Sequence, residues 1–331
     1  MAWHSLRASE TAGHIARTAF HLSPAFYILL LLIAYFAIFS DSIYLVEMFL
    51  FILLYMQYVA SWDILSGYTQ QDNYGHAMFI GGAGYLAAMG SRYLDLSPWV
   101  ATPLAATLTA LFGLAVGYLT LRLRGPYFAL STIAFAAVLL KLVNIFSETT
   151  GGDEGLSGIS SYTDAIGSDI VVAILVVLVS IILIKAFSRS HYGLILRSTQ
   201  HNEDAAQASG INTARYKIIA FVISGFFAGL GGAMYAHLNM QVNPGVLTAQ
   251  LSVLIVLLCI VGGRGTILGP VLVSAAFTFF HEWLRIVEAY RGVIFTGSLI
   301  LLVYLNPDGF AHARIFKRYP ALGKFLFGRE D

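Results

Sequence analysis

Residues 170–187 read I-V-V-A-I-L-V-V-L-V-S-I-I-L-I-K-A-F, an apolar run close to the ~20 residues a helix needs to cross the hydrocarbon core of a bilayer. Immediately after it the chain turns polar. Arg189, His191 and Arg197 lead into N-E-D-A-A-Q-A-S-G at 202–210, Arg215 and Lys217 follow, and a second apolar run fills 218–238. Asn202 is suited to cap a helix. Glu203 and Asp204 sit in its first turn, where the helix dipole favours anions, and Gly210 can close it in a left-handed conformation. The reading is a short capped helix, ringed by basic residues, held between two membrane-crossing runs. By the bias of Lys and Arg toward the inner face, the loop 188–217 lies in the cytoplasm.

The rest of the chain follows the same pattern. Of 331 residues, 58% are hydrophobic and 11% charged, which places the chain among integral membrane proteins. Barrel strands would show alternating segments of about ten residues rather than unbroken apolar runs, so the expected class is all-α. Apolar runs predict spans at 24–39, 43–60, 75–91, 99–121, 126–146, 170–187, 218–238, 247–262, 267–284 and 292–305. These make a membrane domain over 24–305, between inner tails at 1–23 and 306–331. Ten crossings put both termini inside, and 15 of the 19 Lys and Arg residues then fall on the inner side. These are Arg7, Arg17, Arg122, Arg124, Lys185, Arg189, Arg197, Arg215, Lys217, Arg264, Arg314, Lys317, Arg318, Lys324 and Arg329. Outside are Arg92, Arg285 and Arg291, and Lys141 lies within a span. Before the first apolar run no cleavable signal pattern is seen, so the N-terminus reads as an uncleaved tail. The single cysteine, Cys259, lies in an apolar run and reads as core, which leaves disulfides and cysteine-bound metals without support.

Several motifs are absent, which narrows the function. Gly323-Lys324 continues into Phe325, so the chain has no phosphate-cradling loop, and His281-Glu282 continues as Trp283-Leu284-Arg285 rather than as a zinc motif. No cofactor, metal or catalytic residue is expected, and the +1 net charge gives no reason to expect nucleic acid. Glu47, Lys141 and Glu282 are the candidates for functional charge within spans. All three lie within about two turns of the outer boundary, where long side chains snorkel; a Lys141–Glu282 pair is one expectation. The outer loop 147–169 is acidic and glycine-rich, with Thr150, Gly151, Gly152, Asp153, Glu154 and Gly155 at its centre. It reads as a lid, a docking surface or a plain connector. The glycines of 75–90 and 225–232 read as close helix packing. The polar stretch 66–74 is either a short loop or a re-entrant segment.

Four segments together resemble the membrane permeases of branched-chain amino-acid ABC importers, the LivM-type subunit. They are L-R-L-R-G-P-Y-F-A-L-S-T-I-A-F (121–135), T-G-G-D-E-G-L (150–156), E-D-A-A-Q-A-S-G-I-N-T-A-R-Y-K (203–217) and V-G-G-R-G-T-I-L-G-P-V-L (261–272). Within the third, Asp204-Ala205-Ala206 and Gly210 are similar to the coupling motif E-A-A-x-x-x-G, with Asp204 in place of glutamate. The resemblance implies that Asn202, Glu203, Asp204, Ala205, Ala206 and Gly210, flanked by Arg197 and Arg215, seat on an ATPase. It also implies two cytoplasmic ATPase subunits, a homologous second permease, an external solute-binding protein, and a place in a bacterial or archaeal cytoplasmic membrane. Where the family carries G-x-x-x-Q-x-S-[LF]-G-[HQ], this chain has G-Y-T-Q-Q-D-N-Y-G-H (67–76). The implied solute is a branched-chain amino acid; the departure leaves urea, amides, other amino acids and aromatic acids open. Gln71, Asp72, Asn73, His76 and Asn144 are candidates for the solute path because they are polar and lie in or beside spans. The rival readings, an ion-coupled secondary transporter and a multi-span membrane enzyme, need midplane charges or convergent catalytic groups, and neither is found.

Overall fold

A computed structural model describes residues 22–39, 42–123, 125–163, 165–284, 290–307, 309–312 and 320–327. Most of both tails lies outside the described residues, as do Arg124, Asp164 and Arg285. The main helices are α1 Pro24–Phe39, α2 Ile43–Trp62, α3 Ala77–Leu94, α4 Pro98–Thr120, α5 Pro126–Ile145, α6 Ile166–Arg189, α7 His191–His201, α8 Glu203–Ala208, α9 Thr213–Leu238, α10 Ala249–Gly262, α11 Leu268–Trp283 and α12 Arg291–Leu305, with short helices at Ser147–Thr150 and Pro320–Phe327. Each expected span has a helix over it. Among the described residues five stretches are both long and apolar enough to cross a membrane: Tyr44–Gly67, Pro98–Thr120, Pro126–Ile145, Gly167–Arg189 and Thr213–Leu238. The chain is a multi-pass, helical membrane protein.

Two helices form the centre. α9 packs along α4 and α3 and touches α2, and α2 also meets α11 and α6. Lipid tails are as apolar as leucine, so this bundle gains little by hiding apolar surface; close contact and interhelical hydrogen bonds must hold it. Both are present. A Cβ at Gly232 of α9 would lie 1.9 Å from the Ile80 carbonyl oxygen of α3, so the two backbones touch there. α2 is bonded to α9 where Gln57 Nε2 donates to the Phe227 carbonyl at 2.9 Å and Ser224 Oγ donates to the Ser61 carbonyl at 2.7 Å. The expectation of close packing holds for the glycines of α9.

Two boundaries differ from expectation. The helix ending at Trp62 continues through a π-turn, Asp63–Gly67, instead of stopping near residue 60. α9 begins at Thr213, capped by Asn212 accepting from the Arg215 amide, five residues before the apolar run. In both places polar residues that lowered local hydropathy are buried and bonded inside the fold, Asp63 and Ser66 in the first, Thr213 and Lys217 in the second. Hydropathy alone cannot register that. The class needs one addition: Leu156 and Ser157 (β1) pair antiparallel with Val242 and Gln241 (β2).

The connecting segments fall into two groups. Segments 63–74, 188–217 and 263–267 bond to one another, whereas 91–102, 144–163 and 237–248 bond among themselves. These are the two ends of the bundle, here called the α8 end and the β end.

Candidate functional site

At the α8 end a polar junction is built around α2's π-turn. Asp63 is fully buried, and its carboxyl accepts from the Gly265 amide at 2.7 Å and the Ile267 amide at 2.8 Å. Two convergent backbone N–H groups suit an acceptor with two oxygens. Gly67, one π-turn later, leaves room for that carboxyl, since a Cβ there would lie 2.1 Å from Asp63 Oδ1. Beside it Arg264 Nη1 donates to Asp72 Oδ1 at 2.8 Å, and its guanidinium lies 5.7 Å from the Trp62 ring centroid. Asp72 is thus paired within the chain to Arg264 of the V-G-G-R-G-T segment. Burial raises the Asp72 carboxyl's pKa, against the opposing pull of Arg264.

The residues after Asp72 are built in too. Trp62 Nε1 donates to the Asn73 carbonyl at 2.7 Å, the Asn73 amide donates to Ser66 Oγ, and Asn73 Oδ1 accepts from the Gly75 amide. His76 Nε2 pairs with Ser61 Oγ at 2.9 Å. Gln71 Oε1, Asn73 Nδ2 and His76 Nδ1 are buried with no partner among the described residues. The stretch 66–74 is therefore the end of a helix and a packed connector. Asn144 does not join this group: it lies at the β end, donating to Asp153 Oδ1 at 2.9 Å.

The loop 188–217 is two helices, where only one was expected. α7 is fastened to the junction by Arg197, which donates to the Tyr68 hydroxyl at 3.1 Å and lies over its ring, and by Gln200, which donates to the Gly67 carbonyl at 3.0 Å. α8 follows, with Asn202 Oδ1 accepting from the Ala205 amide at 2.9 Å and Gly210 at φ +84° closing it. Glu203 turns inward, its Oε1 accepting from Lys217 Nζ at 2.7 Å and Thr213 Oγ1 at 3.0 Å. Glu203, named by the resemblance among the residues that seat on an ATPase, is thus engaged within the chain. Ala206 is also buried, while Asn202, Asp204, Ala205, Gln207, Ala208, Ser209 and Gly210 are exposed, with Arg215 exposed nearby. Replacing Asn202 with alanine removes the cap; a loss of about 1 kcal/mol is expected, read as several-fold faster amide exchange at Ala205.

At the β end the glycine-rich loop is tied on several sides. Arg92 donates to the Ser157 carbonyl, the Tyr93 hydroxyl to the Thr149 carbonyl, and His237 Nδ1 lies 2.8 Å from the Ser160 carbonyl oxygen. Thr150 donates to the Val143 carbonyl, and Gly151, Gly152 and Gly155 all have positive φ. A Cβ at Gly155 would meet the Val242 carbonyl oxygen at 2.1 Å. Asp153 and Glu154 are exposed on this rim. The expected Lys141–Glu282 pair is not formed: Lys141 is exposed on α5, while Glu282 shares a cavity with Glu47 and His281 between α2 and α11.

Sequence reasoning missed Asp63, Arg264 and Gln200. An aspartate inside an otherwise apolar run was the available signal for the first.

Residues 44–304 match the sequence profile of the family described as branched-chain amino acid transport system / permease component. The chain is 27% identical over 264 residues to the high-affinity branched-chain amino acid transport system permease protein LivM of Salmonella typhimurium, and 26% identical to that of Escherichia coli K12. Each match covers 71% of this chain and 62% of the relative, so the chain spans under two thirds of their length. The ribose import permease protein RbsC of E. coli K12 is 25% identical over 227 residues, covering 64% of this chain and 70% of that protein. No solved structure gives a significant match.

Proposed function

The chain belongs to the branched-chain amino acid transport system permease family, and from that premise we propose that it is one membrane subunit of an ATP-binding cassette importer that carries branched-chain amino acids inward. Its partners in this reading are a homologous second permease, two cytoplasmic ATPase subunits and an external solute-binding protein. The bundle crosses a bacterial or archaeal cytoplasmic membrane ten times, as the domain over 24–305, with both tails inside. Two observations support that topology. Six of the connecting segments divide by contact into two ends, and the division agrees with alternate crossings by the helices between them. The basic residues crowd one of those ends.

The observation that carries the reading is the way α7 and α8 are joined to the bundle. α8 offers an exposed edge of Asn202, Asp204, Ala205 and Gly210, with Arg215 beside it, as the seat for the ATPase. Glu203, Ala206 and Arg197 hold that edge to α9 and α2. Nucleotide-driven closure of the ATPases moves α8, and the bonds of Arg197 and Gln200 to residues 67–68 pass the motion into α2 and the Asp63 junction, so that the solute path alternates between faces. Gln71, Asp72, Asn73 and His76 stand at the inner end of that path and Asn144 at the outer end. The tied rim of Thr150, Gly151, Gly152, Asp153, Glu154 and Gly155 suits a docking surface for the solute-binding protein better than a lid. Because Asp72-Asn73 departs from the family pattern, urea, amides, other amino acids and aromatic acids form the second reading.

The test is ATP-dependent uptake in vesicles holding the whole complex, with radiolabelled leucine, urea and an aromatic acid, and Gly210→Asp in parallel. Aspartate is among the few residues that tolerate the left-handed region, and a Cβ at Gly210 meets nothing within 4 Å. The substitution therefore leaves the fold intact and puts a new charge on the seat. Uptake of leucine is expected, cut about tenfold or more by Gly210→Asp, as for a charge set unpaired in an interface, with unchanged membrane insertion. Uptake that persists without ATPase subunits would sink the proposal.

A further inference from the structure

Of the five long apolar stretches, α5 is the least covered by the rest of the bundle. Its inward side holds Phe128, Thr132, Ala136 and Val143, all buried. At 3.6 residues per turn the opposite side presents Leu130, Ala134, Ala137, Val138, Lys141 and Ile145, and all six are exposed. Lys141 stands in the middle of that side, four residues before the end of α5. Among the described residues its ammonium has no hydrogen-bond or ion-pair partner. Glu148 and Asp153 follow in the rim, yet neither pairs with it, and Asp153 accepts from Asn144 instead.

Other helices show what a lipid-facing side looks like in this chain. Between residues 170 and 187 the exposed residues of α6 are Val171, Leu175, Val179 and Leu183, an aliphatic stripe at every fourth position. α4 exposes Leu104, Leu108 and Leu111 between Trp99 and Tyr118 near its two ends, the aromatic placement of a membrane interface. The exposed side of α5 departs from this in two ways. It carries a charge, and charged residues within a span are costly against lipid and ordinarily face protein or water. One and two turns before Lys141 it also carries alanine, at 137 and 134, where α6 has only valine and leucine; small residues let another helix come close. Snorkelling of Lys141 to the headgroups accounts for the charge and leaves the alanines unexplained.

We propose that this side of α5 is the surface on which the importer's second permease seats, with a carboxylate of that subunit set against Lys141. This rests on the importer reading above. Of the partners in that reading, the ATPases are cytoplasmic and the solute-binding protein is external, so only the second permease offers protein within the bilayer. The charge defines what it brings. An unpaired ammonium in apolar surroundings calls for an anion, and from a helix packed on Ala134 and Ala137 that anion is an aspartate or glutamate at the level of Lys141. Such a pair fixes the register of the two subunits, because any other sliding position leaves both charges without a partner.

The experiment co-expresses the chain with the second permease, the ATPases and the solute-binding protein, and places a photoreactive benzophenone amino acid at Val138 of α5 or at Leu175 of α6. Irradiation is expected to join the Val138 probe to the second permease and the Leu175 probe to lipid. In parallel, Lys141→Glu is expected to cut the second permease retained on the affinity-tagged chain by about tenfold or more, as for like charges brought together, with membrane insertion unchanged. Lys141→Arg should keep retention within about twofold. Where Lys141→Glu inserts poorly, Lys141→Gln removes the charge without reversing it and should show the same loss at about threefold. Lipid adducts at both positions, or full retention by the glutamate and glutamine variants, overturn the inference and leave the importer reading standing. An adduct from Val138 to a second copy of this chain overturns the choice of partner. A wild type that retains no second permease removes both.

Discussion

Asp63→Ala is expected to lower the stability of the detergent-purified protein by about 2–5 kcal/mol, because it strands two buried amides that each cost roughly 1–3 kcal/mol when left without an acceptor. Both donors belong to a tight turn in which Gly263, Gly265 and Ile267 all take positive φ. The carboxyl is what repays that backbone. Asp63→Asn should fall between alanine and wild type, since its single carbonyl oxygen can serve one amide while its NH₂ faces the other. Asp63→Glu should be no better than asparagine: the carboxyl already abuts Gly67, and an extra methylene has no room. Thermal unfolding of the four proteins checks the order. An alanine variant that melts with the wild type would mean that these hydrogen bonds contribute nothing, and would remove Asp63 as the centre of the junction. Because Gln200 and Arg197 tie α7 to residues 67–68, the same variants should weaken uptake more than their residual folded fraction explains.

The second large effect is expected at Gly232. Its hydrogen occupies the place where α3 and α9 come closest, and a methyl group there would sit 1.9 Å from the Ile80 carbonyl oxygen. The obstacle is backbone, so no rotamer change relieves it and the helices must part. Gly232→Ala should cost about 3 kcal/mol, the upper part of the range for overpacking, even though alanine is the better helix former. Gly82→Ala is the control on the facing helix. With only a methyl at 3.9 Å to meet, it should be neutral or gain up to about 1 kcal/mol from helix propensity. Equal melting temperatures for the two variants would contradict the close approach of α3 and α9.

The departures from expectation share one cause. Glu203 and Lys217 read in sequence as surface charges, yet Glu203 folds back over the start of α9 and pairs with Lys217, which is 2% exposed. Ser66, Asn73 and His76 read as a connector or a path lining, and each is bonded to a residue on α2 or within its own turn. Asp72, the point of departure from the family pattern, is joined to Arg264, about 190 positions away in the chain. Asn144 was grouped with these by polarity alone and lies at the other end of the bundle, next to Asp153.

The sequence by itself determined the class, the places of the helices, the two-sided distribution of charge and the capped helix at 203–208, because each depends on neighbours within a few residues: apolar run length, capping side chains, a glycine at positive φ. Only the tertiary structure decided which polar residues are spent inside. The length of α2, the start of α9, the inward turn of Glu203 and the acceptor role of Asp63 all rest on partners far off in the chain. A lone ionisable side chain is costly in an apolar bundle, and the same side chain beside two backbone amides or an opposite charge is a fastening. Local hydropathy is identical in the two cases.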